Sequence, residues 1–410
     1  MRAVWRLSLA LLGLIAAQAA RADQDNYVEV VSGRALVTAG DCVSCHTAPG
    51  GAPFAGGLAL ATPFGRIMSA NLTPDDATGS GGWTADDFAR AMHEGIARDG
   101  SHLYPAFPYT AYTRITRPDL DAMFAYLRTV PTVSNNVDRD TLGFPFNIRA
   151  AMAGWNALYF TPGTFAPDPQ RSDEFNRGAY LVEGLGHCGT CHTPMNNFGA
   201  NKSAEFLQSN QIDNWTAPNL TADARLGVGG WSVEEIVAYL RTGQTANTIA
   251  SGPMAEVITR STALMPVADL HAIATFLKER GAAGAPAPQA IVASDARMQA
   301  GAAIFIDTCA ACHTPQGAGI THLFPRLAGN PSVVQTDPTS LIQVVLAGAR
   351  GAATDAAPTG PAMPSLGYRL GDAQVASVLT YIRNSWGNAA APVSADDVRK
   401  LRAEVGVPVN

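Results

Sequence analysis

One five-residue phrase occurs three times along this chain: Cys42-Val43-Ser44-Cys45-His46, Cys188-Gly189-Thr190-Cys191-His192 and Cys309-Ala310-Ala311-Cys312-His313. It uses all six cysteines, so none is left for a disulfide or a catalytic thiol. On a turn of helix, residues three and four apart face the same way. Two thiols three apart can therefore grip neighbouring points of one flat ligand, and the histidine after the second thiol swings under its centre. C-x-x-C-H is the attachment sequence of a c-type haem, with both sulfurs in thioether links and the histidine as proximal iron ligand. Three copies predict three covalently bound haem c groups. The attachment residues are Cys42, Cys45, Cys188, Cys191, Cys309 and Cys312, and the proximal ligands are His46, His192 and His313. A thioredoxin-like redox pair or half of a zinc site also uses C-x-x-C. Neither requires histidine in the next place, and the chain has only eight histidines.

The N-terminus reads as an export signal. Arg2 and Arg6 form a basic start, residues 7–17 an apolar run, and Ala20-Arg21-Ala22 a cleavage site, so residues 1–22 are expected to be removed. That run is too short for a comfortable membrane span, and no other stretch of about 20 apolar residues occurs. Covalent haem attachment takes place outside the bacterial cytoplasm, so the expected location is the periplasm. The formal charge of −6 becomes −9 once Arg2, Arg6 and Arg21 leave. An acidic chain of this kind is not a nucleic-acid binder, and its surface suits a basic partner. Only 15% of residues are charged, against 39 glycines and 27 prolines, which fits a loop-rich protein whose core is organised around cofactors.

The chain repeats at the scale of the motif. Cys42 and Cys188 are 146 residues apart, and Cys188 and Cys309 are 121 apart, each the size of one small domain. The text after the first two motifs is also repeated in order. Asn71-Leu72-Thr73 and Gly81-Gly82-Trp83 return as Asn219-Leu220-Thr221 and Gly229-Gly230-Trp231, a sign of internal duplication. The third unit is more diverged. These spacings predict one domain per haem, over 23–165, 166–285 and 286–410. Segments rich in Pro and turn residues at 161–170 and 281–289 serve as linkers.

The secondary structure expected is helical throughout. A capping box, Ser232 to Glu235, opens a helix carrying Ile236, Val237, Tyr239 and Leu240. Thr84 caps its equivalent, which carries Phe88, Ala91 and Met92. Helices over 118–129, 267–280 and 371–386 close the three units, and helices over 27–38, 172–184 and 294–307 lead into the three motifs. No sustained period-2 alternation calls for a sheet.

A haem that only carries electrons has both axial positions filled, and His/Met ligation raises its potential. Each unit is therefore expected to present a methionine in a loop between its last two helices. Unit two offers Met254, 62 residues after His192, with Met265 as a competitor better suited to a structural role. Unit three offers Met363, 50 residues after His313 and the last methionine of the chain. Unit one has Phe107 at the equivalent place, 61 residues after His46, and phenylalanine cannot ligate iron. Met68 lies early for a distal ligand, Met92 reads as core, and His102 is close enough in sequence to bind iron or a propionate. The first haem is expected to be five-coordinate or to carry a ligand other than methionine. A proximal histidine donates its second N–H to a fixed acceptor, and the Pro325 carbonyl is well placed for His313. Trp83 and Trp231 line haem edges or serve as packing.

With these motifs in hand, the chain resembles a known family. The three C-x-x-C-H units, Asn71-Leu72-Thr73-Pro74-Asp75 with its repeat, and the segment HLYPAFPY at 102–109 are similar to the tri-haem cytochrome c subunits of bacterial membrane-associated dehydrogenases. That family serves alcohol, gluconate and fructose dehydrogenases, and molybdenum hydroxylases acting on aldehydes or N-heterocycles such as nicotinate. The resemblance implies an all-α chain of three tandem class I cytochrome c domains. It implies an electron-transfer subunit that is not an enzyme alone. Its donor would be a dehydrogenase catalytic subunit carrying molybdopterin, flavin or a quinone cofactor, and its acceptor ubiquinone or a terminal oxidase. It implies peripheral association with the periplasmic face of the inner membrane. The departure is at Phe107, where alcohol and gluconate dehydrogenase subunits have the methionine of LYPAMPY. The phenylalanine version is closer to the cytochromes paired with molybdenum hydroxylases. Two other readings compete: a multi-haem peroxidase-like enzyme using an open first haem, and a free periplasmic electron shuttle. The short, charged amphipathic segment at 394–405 is a poor membrane anchor.

Overall fold

The structure is a computed structural model that describes residues 26–138, 141–281 and 286–408. The export signal and its cleavage site lie outside the described residues, as does the centre of the 281–289 linker. The chain divides into two compact units. One takes the residues up to Leu60 with Phe64–Thr164, and the other takes Ala61–Pro63 with Phe165 onward.

In unit one, helix α1 (26–39) leads into the short α2 (Cys42–Cys45) of the first motif. The paired strands β1 (Ala59–Thr62) and β2 (Gly65–Met68) follow. Helices α3 (Ala85–Glu94), α4 (Tyr109–Tyr112), α5 (Arg117–Leu127) and α6 (Ala151–Tyr159) complete the unit. The caps form as expected. Thr84 Oγ1 accepts from the Asp87 N–H at 3.1 Å while Asp87 accepts from the Thr84 N–H. Phe88, Met92, Leu120, Met123 and Phe124 are buried where α3 packs on α5.

Unit two carries the second and third motifs. Helix α7 (Asp173–Tyr180) runs into a π-helical turn at Leu181–Leu185 before α8 (Cys188–His192). Strands β3 (Gln208–Ile212) and β4 (Trp215–Asn219) form an antiparallel hairpin. Then come α9 (Val233–Thr242), α10 (Pro253–Arg260) and α11 (Val267–Glu279). The last third holds α12 (Ala296–Ile304), a second π-helical turn at Phe305–Cys309, and α13 (Ala310–His313). Helix α14 (Thr339–Ala347) is followed by the antiparallel pair β5 (Ala349–Arg350) and β6 (Ala362–Met363), then α15 (Asp372–Arg383) and α16 (Ala395–Val405).

The all-α expectation is corrected by these hairpins. They are short and mostly half-exposed, so they give no alternating apolar pattern in the sequence. The β3–β4 turn is two residues long, with Asp213 at φ 48°, the left-handed backbone that such turns require. The helices leading into the second and third motifs also stop sooner than their apolar pattern predicts, each giving way to a π turn.

One packing arrangement is built three times. The helix before each motif crosses a later helix of its segment, α5, α11 or α15, at a glycine. A Cβ on Gly33 would overlap the Ala122 carbonyl, one on Gly178 that of Ala272, and one on Gly301 that of Ser377. An aromatic side chain four residues further on, Tyr126, Phe276 or Tyr381, closes each crossing. Only a side chain of zero size lets the two backbones meet this closely.

Residues 165–410 cohere for a visible reason. Leu226, from the second segment, is part of the core formed by Phe305, Val345, Val378 and Leu379. The Gln335 side chain donates to the Leu226 carbonyl at 2.6 Å and accepts from the Asn219 N–H at 3.4 Å. Ser251 pairs with Gly351, and the Ala352 N–H donates to the Ala250 carbonyl at 3.2 Å. Helix α16 belongs to the same core through Val398 and Leu401. Its buried Arg402 bonds Asp372 and the Gly367 and Leu370 carbonyls at 2.6–2.7 Å.

Candidate haem sites

Each motif histidine aims its Nδ1 at a backbone carbonyl. His46 Nδ1 lies 2.7 Å from Ala70 O, His192 Nδ1 2.7 Å from Pro218 O, and His313 Nδ1 3.0 Å from Pro325 O. A carbonyl only accepts, so Nδ1 is the protonated nitrogen in all three. Nε2 then carries the lone pair, the tautomer an iron ligand needs. Burial lowers the pKa of each ring against the opposing pull of that hydrogen bond, which favours the neutral imidazole. The Pro325 acceptor expected from sequence is in place; its counterparts Ala70 and Pro218 carry no sequence signal of that role.

The repeated Asn-Leu-Thr text explains how those carbonyls are fixed. Asn71 follows Ala70, and its Oδ1 accepts from the Thr73 N–H at 2.9 Å while its amide donates to Val133 O at 2.8 Å. Asn219 follows Pro218 and accepts from the Thr221 N–H at 2.7 Å. In the third segment the residue after Pro325 is tied differently, with the Arg326 N–H donating to Asn247 O at 2.9 Å. The sequence repeat thus marks the clamp on the histidine acceptor.

The six cysteines alternate in exposure along the chain. Cys42, Cys188 and Cys309 are half-buried, whereas Cys45, Cys191 and Cys312 are exposed. Burial first, with the second thiol of each motif adding to it and Asp41 adding at Cys42, pushes Cys42 and Cys188 up to about 12 and Cys309 up to about 11. Among the described residues no three His, Cys, Asp or Glu side chains converge as they would around a bare metal ion. One neutral histidine with two thiols on its own short helix is instead the donor set for a covalently tethered iron porphyrin, and the residues fit that group.

The two methionines expected as distal ligands, Met254 and Met363, sit in regular structure, which corrects the expected loops. Met254 occupies the first turn of α10, where Pro253 suits a helix start and Gly252 at φ 59° makes the entry against the Trp215 ring. It is half-buried against Ala250, Ile258 and Ala352. Met363 lies on β6, packed against the core around Phe305. Met265 and Met92 are buried core residues at 9% and 3% exposure. Met68 ends β2, two residues before the Ala70 carbonyl that faces His46. Trp231 packs edge-on against Tyr239 with centroids 5.3 Å apart.

An internal parallel adds to the repeats already described. Pro105-Ala106-Phe107-Pro108 in the first segment matches Pro361-Ala362-Met363-Pro364 in the third. Helix α5 or α15 follows at nearly the same distance in each case. Phe107 therefore stands where Met363 stands. Its ring meets Tyr112 edge-on at 5.5 Å, and Tyr112 Oη donates to Gly40 O at 3.4 Å, two residues ahead of Cys42.

Fold and site together define a c-type cytochrome. The cytochrome c family profile matches residues 30–131 and 298–386, around the first and third motifs. The chain is 41% identical to the gluconate 2-dehydrogenase cytochrome c subunit of Pantoea cypripedii, over 96% of this chain and 94% of that one. It is 37% identical to the cytochrome c subunit of the quinone alcohol dehydrogenase of Gluconobacter oxydans, over 100% and 90%. It is also 42% identical to a nicotinate dehydrogenase subunit of Pseudomonas putida, over 86% of this chain but only 30% of that one. The chain belongs to the family of dehydrogenase cytochrome c subunits, and its role is electron transfer.

Proposed function

We propose that the chain is a tri-haem electron-transfer subunit. In this reading it takes electrons from a separate dehydrogenase catalytic subunit and delivers them to ubiquinone or a terminal oxidase on the periplasmic face of the inner membrane. Each haem, once bound, supplies reversible one-electron exchange at its iron. The chain's own residues tether, orient and shield. Cys42, Cys45, Cys188, Cys191, Cys309 and Cys312 hold the ring edges. His46, His192 and His313 would hold the irons through Nε2, and Met254 and Met363 would supply thioether sulfur to the second and third haems.

The observation that carries this reading is the threefold recurrence of one device. A glycine helix crossing, a C-x-x-C-H turn and an Nδ1–carbonyl bond occur together in three segments, which supports three class I cytochrome c domains over 23–165, 166–285 and 286–410. The contacts around Ser251, Gly351 and Pro361 hold the Met254 and Met363 elements at a fixed separation. The Gly351 N–H donates to the Pro361 carbonyl at 2.7 Å.

The relatives named as gluconate, alcohol and nicotinate dehydrogenase subunits support a dehydrogenase partner. The phenylalanine at 107 favours a molybdenum hydroxylase among such partners. Among the described residues no helix is long and apolar enough to cross a membrane. Peripheral docking is supported by the exposed Phe144, Phe146, Ile148 and Leu158 in the stretch around α6. The test is affinity capture of the chain from gently extracted membranes and periplasm. A stoichiometric dehydrogenase subunit whose substrate reduces the captured haems is the expected result. Recovery of the chain alone, under conditions that preserve related complexes, would overturn it.

A further inference from the structure

Resting on the tri-haem reading, we infer that the first haem has no sixth protein ligand and is a binding site for small neutral diatomic ligands, with carbon monoxide as the probe. The third segment supplies its distal sulfur from the third residue of a Pro-Ala-Met-Pro sequence, and the first segment carries Phe107 at that residue. The ring is not free to leave. It is braced edge-on by Tyr112, whose hydroxyl is bonded beside the attachment segment. A benzene ring excludes water and offers no lone pair to iron.

The other donors of the segment are engaged or misplaced. Met92, Met123 and Met152 are core residues at 3%, 0% and 9% exposure, and Met68 ends β2, 39 residues ahead of the Phe107 position. His93 Nε2 is bonded to Ile115 O at 2.7 Å. Tyr104 Oη donates to Phe146 O at 2.7 Å, and Tyr109 Oη to Asn156 Oδ1 at 2.5 Å. His102 is the remaining rival, with a buried Nδ1 that lacks a partner. It stands five residues out of register with the ligand position. Its backbone is pinned by pairing with Ile96 and by Arg149 donating to its carbonyl at 3.2 Å. The second and third sites keep their methionines, so the chain holds one open haem and two closed ones.

The experiment uses the full chain matured in a host that attaches haem. Haem is counted as the pyridine haemochrome, attachment is mapped on tryptic peptides, and the reduced protein is titrated with carbon monoxide. The expected result is three haems and one carbon monoxide bound per chain. Phe107→Met should abolish that binding and add a third His/Met spectrum. The native stoichiometry stands as a test even if this variant fails to fold. Three haems with no carbon monoxide bound would overturn the inference while leaving the tri-haem reading intact. Binding that appears only in His102→Ala would do the same and name His102 as the ligand. Unmodified Cys42 and Cys45 would overturn both.

Discussion

His46, His192 and His313 each donate an Nδ1–H hydrogen bond to a backbone carbonyl, and each carbonyl is clamped by the residue that follows it. The histidines themselves were legible, because C-x-x-C-H fixes ligand type and order. Their acceptors were legible only at Pro325; Ala70 and Pro218 lie 24 and 26 residues from their histidines, and only the fold brings them close. Asn71→Ala removes the buried acceptor of the Thr73 N–H, and leaving that group unpaired costs about 1–3 kcal/mol. Denaturant unfolding of the haem-loaded protein should register this as a lower midpoint. Met363→Ala should erase the methionine–iron absorption band of one haem and lower its potential in a spectroscopic redox titration. An unchanged spectrum would remove Met363 from the ligand set. Phe107 is found by counting from His46, but its meaning needs the Pro-Ala-Phe-Pro parallel and the Tyr112 contact.

Among the elements, the helices that lead into the motifs and those opened by a capping box were readable, whereas α6, α10, α14 and the hairpins were not. Caps such as Thr84 and Ser232 carry a local side-chain signal, and apolar spacing carries the rest of each helix. Strands β3 and β4 are polar and short, so their pairing is set by a tight turn rather than by a buried face. The π turns arise where a helix must deliver its motif cysteine at a fixed place, a tertiary demand that periodicity does not record. Gly178→Ala should destabilise the α7–α11 crossing by about 1–3 kcal/mol, because the added methyl forces apart two backbones already in contact. Equal stability in thermal unfolding would refute the crossing. Ser232→Ala should cost about 1 kcal/mol through loss of the α9 cap. At the start of α12, the Arg297 side chain and then its backbone N–H hold the Asp295 carboxyl down at about 2. Its folded value lies below the unfolded one, so its stabilising effect is present above the ordinary carboxylate range and fades as pH falls through about 2. An NMR titration midpoint for Asp295 near the usual carboxylate value of 3.8 would contradict this.

For the molecule as a whole, the repeat spacing showed three motifs at domain-sized intervals but not that two of them share one compact unit. That sharing depends on single residues such as Leu226 and Gln335, which no periodicity marks. Residues 165–410 should therefore melt in one cooperative calorimetric transition, and Gln335→Ala should lower its temperature. Separate melting of the second and third segments would show that the shared core does not couple them. The central claim is that three segments, each with its own glycine crossing, thiol pair and oriented histidine, hold one haem apiece. The most direct measurement is the intact mass of the mature chain purified from a host that attaches haem, read with its haem content per polypeptide. The account predicts three covalent haems, and a mature chain carrying two or fewer would contradict it.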